Sequence, residues 1–323
     1  MTEIFTTLFQ DLIWPLTRLM ILISFSLMAA NFIESLNWTR RIALLAKPII
    51  RLSNLSSTTG ASFSLAIFSG IAANTLLAEA YDDKRISKQE LVLANLFNSL
   101  PTYFLHLPTV LFITASLIKG AAVIYVAITF GAAILRTLTI LIASRFLLKT
   151  PAERDLSKMS QQQTQKRSLK EVFALSLRRF KTRLPRIVKF TVPIYIIVYL
   201  MNQSHFFSDL EQTVAGYLSF LPWLSPQSMG IITLHIAAEF TAGLAAAGAL
   251  LQNGTLGQQE IILALIVGNI LSSPVRALRH QFPFYAGIFQ PRLAAELILC
   301  NQLFRIISLI FTGTLYFLLS SSG

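Results

Sequence analysis

Residues 86–107 read ISKQELVLANLFNSLPTYFLHL, and residues 256–280, about 170 positions later, read LGQQEIILALIVGNILSSPVRALRH. The hexamers QELVLA (89–94) and QEIILA (259–264) lie together without a gap. Beyond them each copy carries an Asn (Asn98, Asn269) and then a Pro (Pro101, Pro274), with small shifts. In both, a Gln-Glu pair opens a long apolar segment that polar residues and a proline interrupt. Such self-similarity makes the chain two related halves, and it frames every other signal.

Composition sets the class. Of the 323 residues 54% are hydrophobic and only 13% charged, with a mean hydropathy of +0.62. Several stretches run about 20 residues with almost no charge, enough to cross a hydrocarbon core roughly 30 Å thick. Long alternating strands are absent, which argues against a β-barrel. The sequence therefore predicts an all-α, polytopic membrane protein. The net charge of +12 does not point to nucleic acid, because its placement is uneven. Residues 149–189 hold 12 of the 27 basic residues against Glu153, Asp155 and Glu171. In a membrane protein this bias marks the cytoplasmic side. Cys300 stands alone, so no disulfide framework or cysteine metal site is expected. No basic n-region or small-residue cleavage pattern marks a removable signal peptide.

Four segments follow from the pattern: an interfacial N-terminal segment (1–17), a first repeat (18–148), a basic linker (149–186) and a second repeat (187–323). Phe5, Leu8, Phe9, Leu12 and Trp14 suit an interfacial helix. A first span covers 19–33, followed by a basic cluster of Arg40, Arg41, Lys47 and Arg51. Residues 42–52 are apolar but too short to span and end in SNLSSTTGAS (53–62); a further apolar helix, 63–80, follows. Helix, polar break, helix and a charged turn predict a re-entrant hairpin with its break at 53–62, the alternative being a surface loop. The quoted motif then spans 88–107, residues 108–117 turn back, and 120–148 form a long span. In the linker, Val172, Phe173, Leu177, Phe180 and Leu184 fall at helical spacing among Lys and Arg, predicting an amphipathic helix over 168–189 on an anionic leaflet. The second half repeats the plan: a short span at 187–201, a break in FLPWLSPQSMG (220–230), a helix at 231–251, the second motif copy, a basic loop and a last span at 294–319.

Charge orients this plan. With three spans and one hairpin per half, loops 39–51, 81–88, 149–189 and 276–292 share one side and are basic. Loops 202–218 and 252–258 share the other and hold no Lys or Arg. An odd number of spans per half turns the second copy upside down, so the sequence predicts an inverted repeat with both termini outside, an architecture common among secondary transporters.

The candidate site residues are polar groups inside apolar runs. Arg136 and Arg305 occupy equivalent places in TFGAAILRTLTILI and LILCNQLFRIISLI. A charge near the bilayer centre costs at least about 2.5–3.5 kcal/mol on insertion scales, so each should face protein or water. The two would attract an anion, or clamp helix ends through backbone carbonyls. Ser57 and Thr58 in one half and Ser228 in the other stand where helices begin, either capping them or opening N–H groups into the interior for a solute. Asn95, Asn98 and Ser99, with Asn269, Ser272 and Ser273, form two polar seams that line a path or hold helices together. Glu239 and His235, one turn apart, suit a proton relay; pairing of Glu239 with either arginine would make it structural. No HExxH, GxSxG, P-loop or GxGxxG occurs. No enzyme, cofactor or metal is implied.

The stretch SGIAANTLLAEAYDDKRISKQELVLANLFNSLP (69–101) resembles the nucleoside-recognition (Gate) domain superfamily of bacterial integral membrane proteins, closest to its sporulation branch. GLAAAGALLQNGTLGQQEIILALIVGNILSSP (243–274) resembles it more loosely. The resemblance implies two Gate-type repeats, each of about three spans and a re-entrant helical hairpin, and it implies transport across a bacterial inner membrane with the 149–189 linker cytoplasmic. Iron permeases with such domains carry a Gly-Cys-Asn type gate; here the turn is Ser69-Gly70-Ile71, which argues against iron. The expectation is a secondary transporter of a small polar or anionic solute, nucleoside-like or phosphate-bearing compounds and lipid head groups included, through a midplane site between the repeats. Expected partners are that solute and anionic lipids along 166–189, without nucleic acid; a homo-oligomer is compatible. The rival is a membrane scaffold or assembly factor that docks partners on the linker.

Overall fold

The computed structural model describes residues 8–18, 52–148, 169–206, 225–237 and 240–321, with scattered positions between 6 and 50 and between 209 and 216. Eleven α-helices organise these stretches: α1 (Ser57–Ala66), α2 (Gly70–Asp82), α3 (Lys88–Phe97), α4 (Ser99–Ile118), α5 (Ala121–Leu147), α6 (Leu169–Gln203), α7 (Pro226–Ala237), α8 (Phe240–Gln252), α9 (Gln258–Arg276), α10 (Phe282–Ile288) and α11 (Pro291–Ser321). Among the described residues there is no strand.

Four helical runs are long and apolar enough to cross a membrane: Lys88–Ile118, Ala121–Leu147, Gln258–Ile288 and Pro291–Ser320. At about 1.5 Å per residue each exceeds a hydrocarbon core of roughly 30 Å. Leu299, Leu303, Ile307, Ile310, Phe311, Leu315 and Leu318 lie exposed along α11. A stripe of that size is a liability in water and a natural surface in lipid. The chain is a membrane protein.

The described chain divides into two compact units that interleave along the sequence. Unit 1 comprises Met1–Leu105, Thr137–Ile196 and Pro283–Cys300; unit 2 comprises His106–Arg136, Ile197–Phe282 and Asn301–Gly323. In unit 1, α1 and α2 form a hairpin against α3, around Ala61, Leu65, Ala66, Ala73 and Leu76. Unit 2 has α7 and α8 against α9, in a larger core that includes Tyr125, Ile231, Ile232, Leu244, Ala247, Ile261 and Leu265. Gly248 carries no Cβ because the Leu117 carbonyl occupies that space.

The turn between the hairpin and the motif helix is built bond for bond in both copies. In the first, Asp83 N–H donates to Glu79 O, Lys84 N–H to Tyr81 O, and Arg85 and Ile86 N–H both to Ala80 O. In the second, Asn253 donates to Ala249 O, Gly254 to Leu251 O, and Thr255 and Leu256 both to Leu250 O. At the same step the backbone turns left-handed, with φ 57° at Lys84 and 67° at Gly254. Ile86 and Leu256 follow as buried anchors.

Four expectations need correcting. The polar run 53–62 is the cap and first turns of α1, not the hairpin break: Ser56 Oγ accepts from Thr59 N–H, and Ser64 Oγ folds back onto Gly60 O. The hairpin breaks instead at 67–69, where Ser69 caps α2. The segment 108–117 does not turn back, because Pro108 is absorbed inside α4; that helix ends at the left-handed Lys119, φ 49°. The separate linker helix and short span are one helix, α6, holding Pro185 and Pro193. The basic loop expected from 276 is helical: α9 passes through a π-turn, Ala277–Gln281, into α10. Most of the expected first span, the basic cluster after it and the linker up to 168 lie outside the described residues.

The shared left-handed turn predicts opposite responses. Gly254→Val should lower the melting temperature in detergent by the equivalent of about 1–2 kcal/mol, whereas Lys84→Gly should leave it unchanged or raise it. Indifference at both positions would refute the turn.

Candidate functional site

Each motif helix starts by binding the hairpin helix with its own carboxylate. In unit 1, Ser87 caps α3 and receives Glu90 N–H at 3.1 Å. Glu90 Oε1 in turn accepts from Ser56 N–H at 2.8 Å and from Thr59 Oγ1 at 2.9 Å. In unit 2, Ser225 Oγ accepts from Ser228 N–H at 3.2 Å, and Ser228 Oγ donates to Glu260 Oε1 at 2.8 Å. A carboxylate is favoured at a helix N-terminus by orphan N–H groups and by the helix dipole. Ser57 and Thr58, half-buried, occupy the first turn of α1, and buried Ser228 that of α7. The anion at both helix starts is the protein's own, and α1 starts beside the first turn of α3 rather than opening its N–H groups far from it.

One helical stretch further along, the motif helices reach their polar seams. In unit 1, Asn95 Nδ2 donates to Asn74 Oδ1 at 2.9 Å and contacts Tyr285 Oη at 3.2 Å. Asn98 Nδ2 donates to Ser62 Oγ at 2.7 Å, and Ser62 Oγ to Ala73 O at 3.1 Å. Asn98 also ends α3, where helix geometry breaks before α4. Asn98 Oδ1 and Ser99 Oγ are buried and have no hydrogen-bond partner among the described residues. This seam is built from neutral groups.

Unit 2 differs in charge. Asn269 Oδ1 accepts from Arg305 Nη2 at 2.8 Å and from Arg276 Nη2 at 3.2 Å. Asn269 Nδ2 donates to Tyr125 Oη at 3.0 Å. Two guanidiniums thus converge on one neutral amide that is only 7% exposed. Below it, Ser273 Oγ donates to Gln302 Oε1 at 2.6 Å, while Ser272 Oγ makes a long contact of 3.5 Å to Asn269 O.

His235 completes this region. It is wholly buried, and neither ring nitrogen has a hydrogen-bond partner among the described residues. Its ring meets Phe240 edge-on at 5.3 Å. Two glycines make its seat: a Cβ on Gly243 would stand 2.7 Å from His235 Cβ, and one on Gly268 would stand 2.9 Å from Cβ, Cγ and Nδ1.

The structure therefore gathers Asn269, Arg305 and His235 in unit 2 and Asn95, Asn98 and Ser99 in unit 1. Arg136 and Arg305, expected as one arginine per half, both belong to unit 2, with Arg136 half-buried on α5. Glu239 lies outside the described residues. Arg276 was missed as a site residue because it reads as the first cation of a basic loop. Its signal was the spacing of seven from Asn269, two turns on one helix face. Tyr125, Tyr285, Asn74 and Gln302 carry no local signal at all. Among the described residues no three His, Cys, Asp or Glu side chains are placed to hold a metal ion.

No family model matches the chain, and no solved structure matches it. It is similar over most of its length to proteins of the archaeon Methanocaldococcus jannaschii. It is 24% identical to the uncharacterized protein MJ0871 over 290 residues, 88% of this chain and 87% of that one. It is 25% identical to the uncharacterized protein MJ1556 over 307 residues, 95% and 94% of the two chains. It is also 25% identical to the uncharacterized protein MJ0880 over 289 residues, 87% and 90% of the two.

The glycine seat predicts a measurable coupling. Gly268→Ala should destabilise the protein by about 1–3 kcal/mol, as overpacking does. His235→Ala in the same chain should recover much of that loss, because the added methyl then has room. Additive losses in the double-mutant cycle would show that ring and glycine do not share space.

Proposed function

We propose that this chain is a secondary transporter of a small anionic or polar solute, with the Asn269 cluster of unit 2 neutralising the solute's charge. One observation supports the proposal: two guanidiniums, from two apolar spans, donate to the same neutral amide oxygen. Guanidinium groups are costly to hold at such depth, and ionisable residues there mark solute paths more often than they serve packing. Arginine's planar fork suits carboxylate and phosphate groups, which it grips through two parallel bonds.

The inverted topology belongs to the same proposal. The two copies of the left-handed turn share their bonding, yet the first, 83–88, carries Lys84, Arg85 and Lys88 against Asp83, and the second, 253–258, has no charge. Lys and Arg collect on the cytoplasmic side, so the two turns face opposite sides. Three crossings between them, 88–118, 121–147 and the apolar end of α6, achieve this if each hairpin enters and leaves on one side. The resemblance to Gate-type proteins points the same way, as do the basic residues of α6, which suit an anionic leaflet.

Reconstituted liposomes test the proposal, with a panel of labelled inorganic phosphate, nucleoside monophosphates and short carboxylates. Arg276→Gln and Arg305→Gln should each reduce uptake at least tenfold while folded yield is kept. Asn269→Asp should abolish uptake and preserve folded yield, since a fixed carboxylate then competes with the solute for both cations. Loss of folding in all three, or full activity in Asn269→Asp, would instead make the cluster a helix clamp. For topology, cysteines placed at Lys88 and Gln258 should react with a membrane-impermeant reagent from opposite sides; labelling from one side rejects the inversion.

A further inference from the structure

We infer that a cleft in unit 1, where two spans begin, holds a zwitterionic head group with a phosphate beside a primary ammonium, and that a membrane phospholipid supplies it. This cleft shares no residue with the Asn269 cluster, and its occupancy does not depend on transport.

The cleft measures about 280 Å³ and is lined from the end of α2, the start of α3 and the start of α11. Small-molecule sites usually run about 300–1,000 Å³, so this one suits a head group and leaves no room for acyl chains. Lys88–Ile118 and Pro291–Ser320, two of the four apolar runs, both begin at it. A cleft so placed opens at the level of lipid head groups, above the hydrocarbon. Phe289, buried, and Leu293, half-buried, give it an apolar wall. The duplication does not demand this arrangement, since the matching turn of unit 2 opens α9 on Gln258 and residues 253–258 hold no charge.

The charged lining balances: Lys88 and Arg292 stand against Asp82 and Glu296. A bare anion gains little from such a lining and meets two carboxylates, whereas a ligand of both signs can use it. The geometry offers one place for each sign. Glu296 Oε2 is held by the Lys88 ammonium, which fixes the carboxylate. Glu296 Oε1 reaches only Arg292 Nε, at 3.8 Å, too far for a hydrogen bond. The Arg292 side chain is 95% exposed, and its guanidinium makes no hydrogen bond among the described residues. An exposed contact of this kind contributes little and is easily displaced. An ammonium on Glu296 Oε1 and a phosphate on the fork of Arg292 replace it with two sets of charge-assisted bonds. A choline head group has the same charges but no N–H for Glu296, and a glycerol head group has no cation.

Native mass spectrometry of the full-length protein in detergent tests this. The probes are phosphatidylethanolamine, phosphatidylcholine and phosphatidylglycerol of equal chain length, with free phosphoethanolamine as the soluble arm. Phosphatidylethanolamine should be retained above the other two. Arg292→Gln and Glu296→Gln should each lower its affinity about fivefold, to the level of phosphatidylcholine, the loss expected for an exposed charged contact. Both side chains stand at the surface, so the melting temperature of each variant should stay that of the parent. Equal retention of the three lipids, or a preference that survives both substitutions, overturns the site. A preference for phosphatidylglycerol that depends on Arg292 but not on Glu296 overturns the zwitterion. Phosphoethanolamine bound with the same residue dependence, while phosphatidylethanolamine is not retained, overturns the lipid as its source.

Discussion

The carboxylate of Glu90, and that of Glu260 in the second copy, locks the start of each hairpin helix to the start of the helix that follows it. In water this bond would be one cap among many. Here it also fixes where two helices meet, because it satisfies N–H and hydroxyl groups at the start of the hairpin helix from the first turn of the next. One residue type does this work in both units, from the same place in the repeated motif, and its partners are Ser and Thr of the hairpin. The hairpin's first helix is thereby set at one end, and its polar side chains meet the motif helix at fixed heights. The Asn seams lie about one to three turns beyond; in unit 1 they bond back to the hairpin, and in unit 2 Asn269 bonds to Tyr125 and the two arginines instead.

Built on one frame, the two units have diverged at the level that matters for chemistry. Where α1 and α3 approach, unit 1 places a serine between an alanine and an asparagine, and the result is a neutral, hydrogen-bonded seam. In unit 2 the bulk is exchanged: glycine stands on α8 and α9, and histidine fills the space between them. The same divergence appears in charge. Asn95 meets an amide and a phenol, whereas Asn269 meets a phenol and two guanidiniums. Duplication followed by this kind of exchange preserves helix spacing, because volume lost on one helix is regained on its neighbour.

How much of this was legible follows from the range of each interaction. The repeat, the apolar spans and the polar residues inside them are local facts, and periodicity and composition report those directly. The hairpin was legible as a kind but misplaced by one helix, because Ser and Thr runs mark loops and helix starts equally well. Pro108 was read as the start of a turn back, yet it sits inside a helix, as do Pro185 and Pro193; in an apolar setting neighbouring groups satisfy the backbone that a proline frees. The partners of the seams were the hardest to see. Tyr285 reaches Asn95 across 190 positions and Tyr125 reaches Asn269 across 144, and no window of sequence spans such a contact.

Arg276 shows what such a misreading hides. Taken as the first residue of a basic loop, it contributed to a charge count and nothing else. As the last residue of α9 it sits two turns beyond Asn269 on the same face and doubles the positive charge at that amide. A single arginine at Asn269 would be unremarkable, since one cation is readily held by an amide and nearby carbonyls. Two arginines on one oxygen repel each other, and a neutral acceptor offsets only part of that repulsion. An aspartate at 269 would place a fixed negative charge beside both cations and differs from asparagine by only one side-chain atom. The neutral amide adds no negative charge of its own beside the two guanidiniums, so a solute's oxyanion would approach them without having to displace a carboxylate at 269.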